Sequence, residues 1–128
     1  MTRYDQDWVD ALVDGASVAA ATVHAPMRVL WIVTETDDGK HAFHIDLDGS
    51  RPVSGTAGRL PRGESAAVTV TAKESALLPL WRGERDLDTA FMAGDLKIEG
   101  SYERWLDELV PAFRSDPWAA AWVAAVAD

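Results

Sequence analysis

The stretch Asp86–Gly100, DLDTAFMAGDLKIEG, decides how the rest of the chain is read, because two periodicities meet inside it. Leu87, Ala90, Phe91 and Gly94 recur at helical spacing behind an aspartate suited to an N-cap, Asp86 or Asp88, which predicts a short helix with Phe91 on its buried side. Gly94 stops that helix. From Asp95 strict alternation sets in, with Leu96 and Ile98 on one face and Asp95, Lys97 and Glu99 on the other, as in a strand half open to water. Gly100 ends the strand.

Downstream, Ser101 caps a helix on which Tyr102, Trp105, Leu106, Leu109, Val110 and Phe113 form one amphipathic stripe. Asp116-Pro117, an N-cap followed by proline in the first turn, starts a last helix bearing Trp118, Trp122, Val123 and Val126. Upstream, Thr71-Ala72-Lys73-Glu74 fits a capping box that opens a helix through Trp81, kinked or shortened by Pro79, with Leu77, Leu80 and Trp81 on one face. Ala66–Ala72 reads as a strand behind the loop LPRGE, Leu60–Glu64.

The first half begins with a helix from the N-cap Asp5 through about Ala20, striped by Tyr4, Trp8, Ala11, Leu12, Gly15 and Ala19. Thr22–Pro26 breaks it. Met27–Thr36 is a strand with apolar residues on both faces, which predicts cover on both sides. The Asp-Gly signal in Asp37–Lys40 turns it into His41–Asp48, and Arg51–Gly58 is a weaker, glycine-interrupted third strand. No repeat or linker divides residues 1–128, so the expectation is one α+β domain with a mostly antiparallel sheet.

At 128 residues and 13.9 kDa the chain can bury a core without disulfides, and it has no cysteine to make them. Twelve Lys and Arg against 21 Asp and Glu give a formal net charge of −9, which repels phosphate backbones, so nucleic acid is not an expected partner. No apolar run is long enough for stable membrane insertion, and MTRYDQDWVD is too acidic and broken for a secretory signal, so the cytosol is the expected compartment. Scarce lysine beside arginine, with abundant alanine, points to a GC-rich bacterial genome. Six tryptophans imply a large aromatic area, buried or held ready for an apolar ligand.

Catalytic and metal signals are weak. His41 and His44 are three apart on a strand and point to opposite faces, so they cannot share an ion there. His44, Asp46 and Asp48 do share a face, which reads first as the solvated side of a half-buried strand and only last as an acid–base pair of a small hydrolase or isomerase. His24 lies in the breaker segment and reads as a surface residue. Ser54–Gly58 lacks the lysine and frame of a phosphate loop, and Ser17 and Ser75 lack nucleophile-elbow glycines. No cofactor is called for. Trp81, Phe91, Met92, Trp105, Leu106 and Leu109 fit a plain core, and equally the wall of an apolar tunnel.

From Ala67 to Gly100 the strand VTVTA, the helix ESALLPLWRG and the run LDTAFMAGDLKIEG resemble the sterol carrier protein type 2 family. Asp88, Ala90, Phe91, Met92, Gly94, Leu96, Lys97, Ile98 and Gly100 carry the resemblance; the first half agrees in the order of its elements only. The resemblance implies a sheet of about five strands with helices on one side, enclosing a hydrophobic tunnel for a sterol, fatty acid or acyl chain. It also implies binding or transfer of that lipid without catalysis. Trp81, Phe91, Met92, Trp105 and Leu109 are then the expected ligand wall. The tryptophan-bearing last helix has no counterpart in that pattern. A second reading follows from it: a structural or accessory domain whose tunnel is filled by its own side chains and which pairs, as a homodimer or with another subunit, through an exposed Trp118/Trp122 face.

Overall fold

Asp5 accepts a hydrogen bond from the Trp8 N–H and so caps α1 (Gln6–Ala16) of a computed structural model that describes residues 2–19 and 25–127. The helix buries Trp8, Val9, Leu12 and Ala16 and ends before the expected Ala20, which, like most of the Thr22–Pro26 breaker and His24, lies outside the described residues. Ala11 and Gly15 of the expected stripe are exposed, because the buried face is centred one position away, on Val9 and Leu12.

The strands follow as β1 (Met27–Thr36), β2 (Gly39–Asp48), β3 (Arg51–Ala57) and β4 (Val68–Lys73). Next come α2 (Glu74–Trp81), α3 (Leu87–Met92) and β5 (Lys97–Gly100). The last segment is α4 (Tyr102–Arg104), a π turn at Trp105–Leu109, α5 (Val110–Arg114) and α6 (Asp116–Val126). The sheet order is β3-β2-β1-β4-β5, with β1 and β4 parallel and the other neighbours antiparallel, so the sheet is mixed but mostly antiparallel.

One sheet face, carrying Val29, Trp31, Val33, Phe43, Ile45, Leu47, Val68, Val70 and Ile98, is buried under the helices. α1 settles on β3 because Gly55 has no side chain: a Cβ there would meet Val9 Cγ1 at 2.6 Å and Val13 Cγ2 at 2.8 Å. Gln6 then bonds the Gly55 carbonyl and the Ala57 N–H, tying the helix to that strand. α6 lies against α1, where Gly15 faces Ala121.

The opposite sheet face is partly covered by chain rather than by helix. To join β3 at one edge to β4, residues 58–67 must pass β2 and β1, and they cross on the helix-free side. Arg28 pairs there with Glu64 at 2.9 Å and with Asp46 at 2.7 Å, and its carbonyl accepts the Ala67 N–H. This crossover is the cover that the apolar Leu30 and Ile32 predict. It also leaves His44, expected on a solvated face, only 5% exposed.

Several local expectations are corrected. α2 begins at Glu74 with Lys73 as N-cap and no side-chain cap, because Thr71 is held in β4 opposite Ile32 and Lys97; the capping box is not formed. Asp86 does cap α3, but Leu87 and Ala90 form its buried side and Phe91 is half-buried. Ser101 caps α4 as expected, yet Tyr102 and Leu106 of the stripe are 54% and 47% exposed. The π turn, with Val110 N–H reaching back to the Trp105 carbonyl, inserts one residue and resets the helical phase there. Pro111, which has no N–H to give to the preceding turn, follows directly. α6 has its N-cap position one residue earlier than expected, at Ser115, whose hydroxyl donates back to the Ala112 carbonyl and does not cap the helix.

Candidate functional site

The space between sheet and helices is occupied by aromatic rings. Trp81 at the end of α2 stacks on Trp122 of α6 with centroids 4.8 Å apart and planes 5° apart. Trp31, from the centre of β1, meets both edge-on at 5.7 and 5.4 Å. Phe113 of α5 packs on Trp31 and Trp118, and Trp8 packs on Phe43. Trp118 and Trp122 are 0% and 4% exposed, so the expected exposed tryptophan face on the last helix does not exist; both rings belong to the chain's own core.

The indole donors divide into two groups. Trp8 Nε1 donates to the Ala125 carbonyl and Trp118 Nε1 to the Ser50 carbonyl, both at 2.6 Å. The buried Nε1 atoms of Trp31, Trp81 and Trp105 have no hydrogen-bond partner among the described residues. A buried donor left without an acceptor costs about 1–3 kcal/mol.

Trp31 and Trp81 both line a cleft of about 410 Å³ between the α2–α3 connection and α5–α6. Trp122, Phe113 and Leu87 complete its apolar floor, and Glu84, Arg85, Asp86 and Arg114 form its rim. The rim is held by ion pairs: Arg85 with Asp95 at 2.7 Å, and Arg114 with Asp86 and Asp88 at 3.2 and 3.1 Å. These pairs are largely open to solvent, where each contributes no more than about 1 kcal/mol, so the rim side chains can exchange partners at little cost. An apolar chain would lie on the rings, and a polar end would find two guanidinium groups at the mouth.

Of the five expected wall residues, this cleft includes Trp81 alone. Trp105 and Leu109 are fully buried, with Phe91 against Trp105 at 6.1 Å, and Met92 is 81% exposed. Trp31, Trp122, Phe113, Leu87, Arg85 and Arg114 were not expected as wall residues from the sequence, Trp122 being expected on an exposed pairing face instead. Trp31 carried a signal, being a large ring in the middle of a strand apolar on both faces. Nothing local marks α6 as the element that meets Trp81.

The other titratable cluster is on the crossover side. The hydrogen bond from Arg28 holds the Asp46 carboxyl below the usual carboxylate range, and Ser54 adds a second donor. Burial, then the nearby Arg28 charge, pushes the His44 imidazole below its usual range. His41 faces the other way, against Tyr4 and Asp38. Among the described residues no three His, Cys, Asp or Glu side chains are grouped to hold a metal ion, and no helix is long and apolar enough to cross a membrane.

Solved structures of two kinds share the arrangement. A crystal structure of sterol carrier protein 2 superposes with a TM-score of 0.65 at 15% identity, over 96% of this chain and 93% of that one. The solution structure of palmitated SCP2L2 from Aedes aegypti gives 0.67 at 13% identity, over 86% and 94%. The second kind is an enzyme: the inverting sec-alkylsulfatase Pisa1 from Pseudomonas contains a region similar at 23% identity and a TM-score of 0.50, over 85% of this chain but 15% of that one. No curated protein sequence matches the chain. These likenesses concern the fold, but the sequence profile of a family also matches, over residues 15–106, from the end of α1 to the π turn, and by that match the chain belongs to the SCP-2 sterol transfer family.

Proposed function

We propose that the protein binds a single apolar lipid, a fatty acid, acyl chain or sterol, without transforming it, and that the cleft between the α2–α3 connection and α5–α6 is where the ligand enters. The observation that carries this reading is the cleft's make-up: an aromatic floor, with two unpartnered indole donors among its rings and two arginines at its mouth. Its volume of about 410 Å³ falls in the usual range for small-molecule sites, about 300–1,000 Å³. Family membership supports the ligand class, as does the palmitated state of the Aedes relative. Trp81 remains a wall residue in this reading, joined by Trp31, Trp122, Phe113 and Leu87. Phe91, Trp105, Leu109 and Met92 do not line the cleft in this reading.

A second reading is favoured by the ring-filled interior: an accessory domain that stabilises or positions a larger enzyme, as suggested by the similar region of the alkylsulfatase. Native mass spectrometry of gently purified protein separates the two. Retained lipid, together with a saturable change in tryptophan emission on adding palmitate, is the expected result. Absence of any retained lipid and an emission spectrum indifferent to fatty acids and sterols would leave only the accessory reading.

A further inference from the structure

On the helix-free side of the sheet a second hollow opens where β3 stops. Its pairing with β2 ends at Ala57 opposite Phe43, the Gly58 N–H reaches the Ala42 carbonyl at 2.7 Å, and the chain then swings away over β2 and β1. Lys40 and His41 are left on a free strand edge. The corner holds a groove of about 540 Å³ whose apolar side is made by Leu30, Ile32, Ala42 and Leu60. Lys40 and Arg59 line it as well, and round the free strand edge it reaches Tyr4 and His41.

The charges there are unusual for this molecule. In a chain of net charge −9, the cations pair with carboxylates throughout: Arg3, Arg28, Arg51, Lys73, Arg85, Lys97, Arg104 and Arg114 all do. Among the described residues Lys40, Arg59, Arg62 and Arg82 have no such partner, and the first two line this groove. An unpaired surface cation is ordinary by itself. Two of them at one apolar groove, on a protein with carboxylates to spare, make a local positive field that an anion would complete. Repulsion from distant acidic residues is screened beyond about 8 Å at physiological salt.

We propose that this corner groove is a binding site for a single-chain amphiphile with an anionic head, its chain lying over Leu30, Ile32 and Ala42 and its head between Lys40 and Arg59. A peptide adding to the sheet would need a longer run of open edge than Lys40 and His41 supply. The groove's volume of about 540 Å³ suits a small molecule. The groove shares no lining residue with the helix-side cleft, and it does not depend on that cleft being occupied.

Decanoate and decanol serve as probes, read by amide chemical shifts of the labelled protein. Decanoate should shift Ala42 and the amides from Gly58 to Leu60 saturably, and decanol should not. Changing Lys40→Gln and Arg59→Gln together should weaken decanoate by about tenfold, about threefold for each cation, with an unchanged melting temperature because neither side chain has a partner to lose. Equal affinity in the double variant, equal shifts by decanol, or decanoate shifts confined to residues around Trp81 and Leu87 would each overturn the proposal. So would an acidic peptide that moves the Gly58–Leu60 amides under conditions where decanoate leaves them still. Tryptophan emission that responds to palmitate without these shifts would remove this site and leave the helix-side one standing; the reverse pattern would do the opposite.

Discussion

His44 shows what one buried residue adds to the molecule. Its ring lies beneath the crossover at 5% exposure with no partner for Nδ1 among the described residues, and burial beside Arg28 lowers its pKa from the usual 6.5. A depressed pKa means that the folded state holds fewer protons than the unfolded chain below pH 6.5, so stability is complete above that pH and falls on acidification. The lowered Asp46 carboxyl acts in the same direction further down, below its usual 3.8, as the Arg28 pair is lost. Melting temperature should therefore decline in two stages with falling pH. His44→Leu should abolish the upper stage and keep the lower; a variant whose melting temperature drops between pH 7 and 5 as the parent does would show that His44 is not the group responsible. The alternation in His41–Asp48 already divided His44 from His41. What it did not disclose was burial, since the crossover that covers His44 is a loop with no periodicity of its own.

At the scale of elements, Asp86–Gly100 folds nearly as its sequence reads: a cap at Asp86, a stop at Gly94 with φ of 82°, and a strand that begins only at Lys97 and buries Ile98, with Leu96 buried in the bend before it. Gly100 has a sharper role than ending that strand. Its φ is 95°, and a Cβ there would run into the Ala67 carbonyl oxygen, the same oxygen that accepts the Ser101 N–H. Gly100→Ala should destabilise by at least about 2 kcal/mol through left-handed backbone and steric overlap together. Urea unfolding would measure it, and a loss below about 0.5 kcal/mol would refute the close approach of β5 to the start of β4. The stripe from Tyr102 to Phe113 was legible as a helix but misleading about its faces. A constant period of 3.6 was assumed, and the π turn breaks it in the middle. Thr71 misled in a different way, for its capping pattern was genuine locally but the pairing of β4 between β1 and β5 overrides it.

For the molecule as a whole, the decisive event is the meeting of α6 with the sheet and α2. Trp122 touches Trp31, Trp81, Phe113 and Trp118, rings from four other places in the chain. Trp122→Ala should cost about 3–5 kcal/mol of stability, as expected for a large side chain lost from a packed core. The mass by light scattering should be the same for variant and parent, since the ring packs within its own chain; a mass that falls on substitution with little loss of stability would instead locate Trp122 at a contact between copies. The sequence by itself determined the class of fold, nearly every strand and helix, the family resemblance through Ala67–Gly100 and the apolar wealth of the chain. All of these follow from short-range periodicity, capping and turn chemistry. Only the tertiary structure decided that the aromatic rings fill the interior, that the remaining cleft is floored by Trp31, Trp81 and Trp122, and that residues 58–67 close over the other face. Those outcomes depend on contacts between residues far apart in the chain, 117 positions for Trp8 and Ala125, and a pattern read along the chain carries no record of which faces will meet.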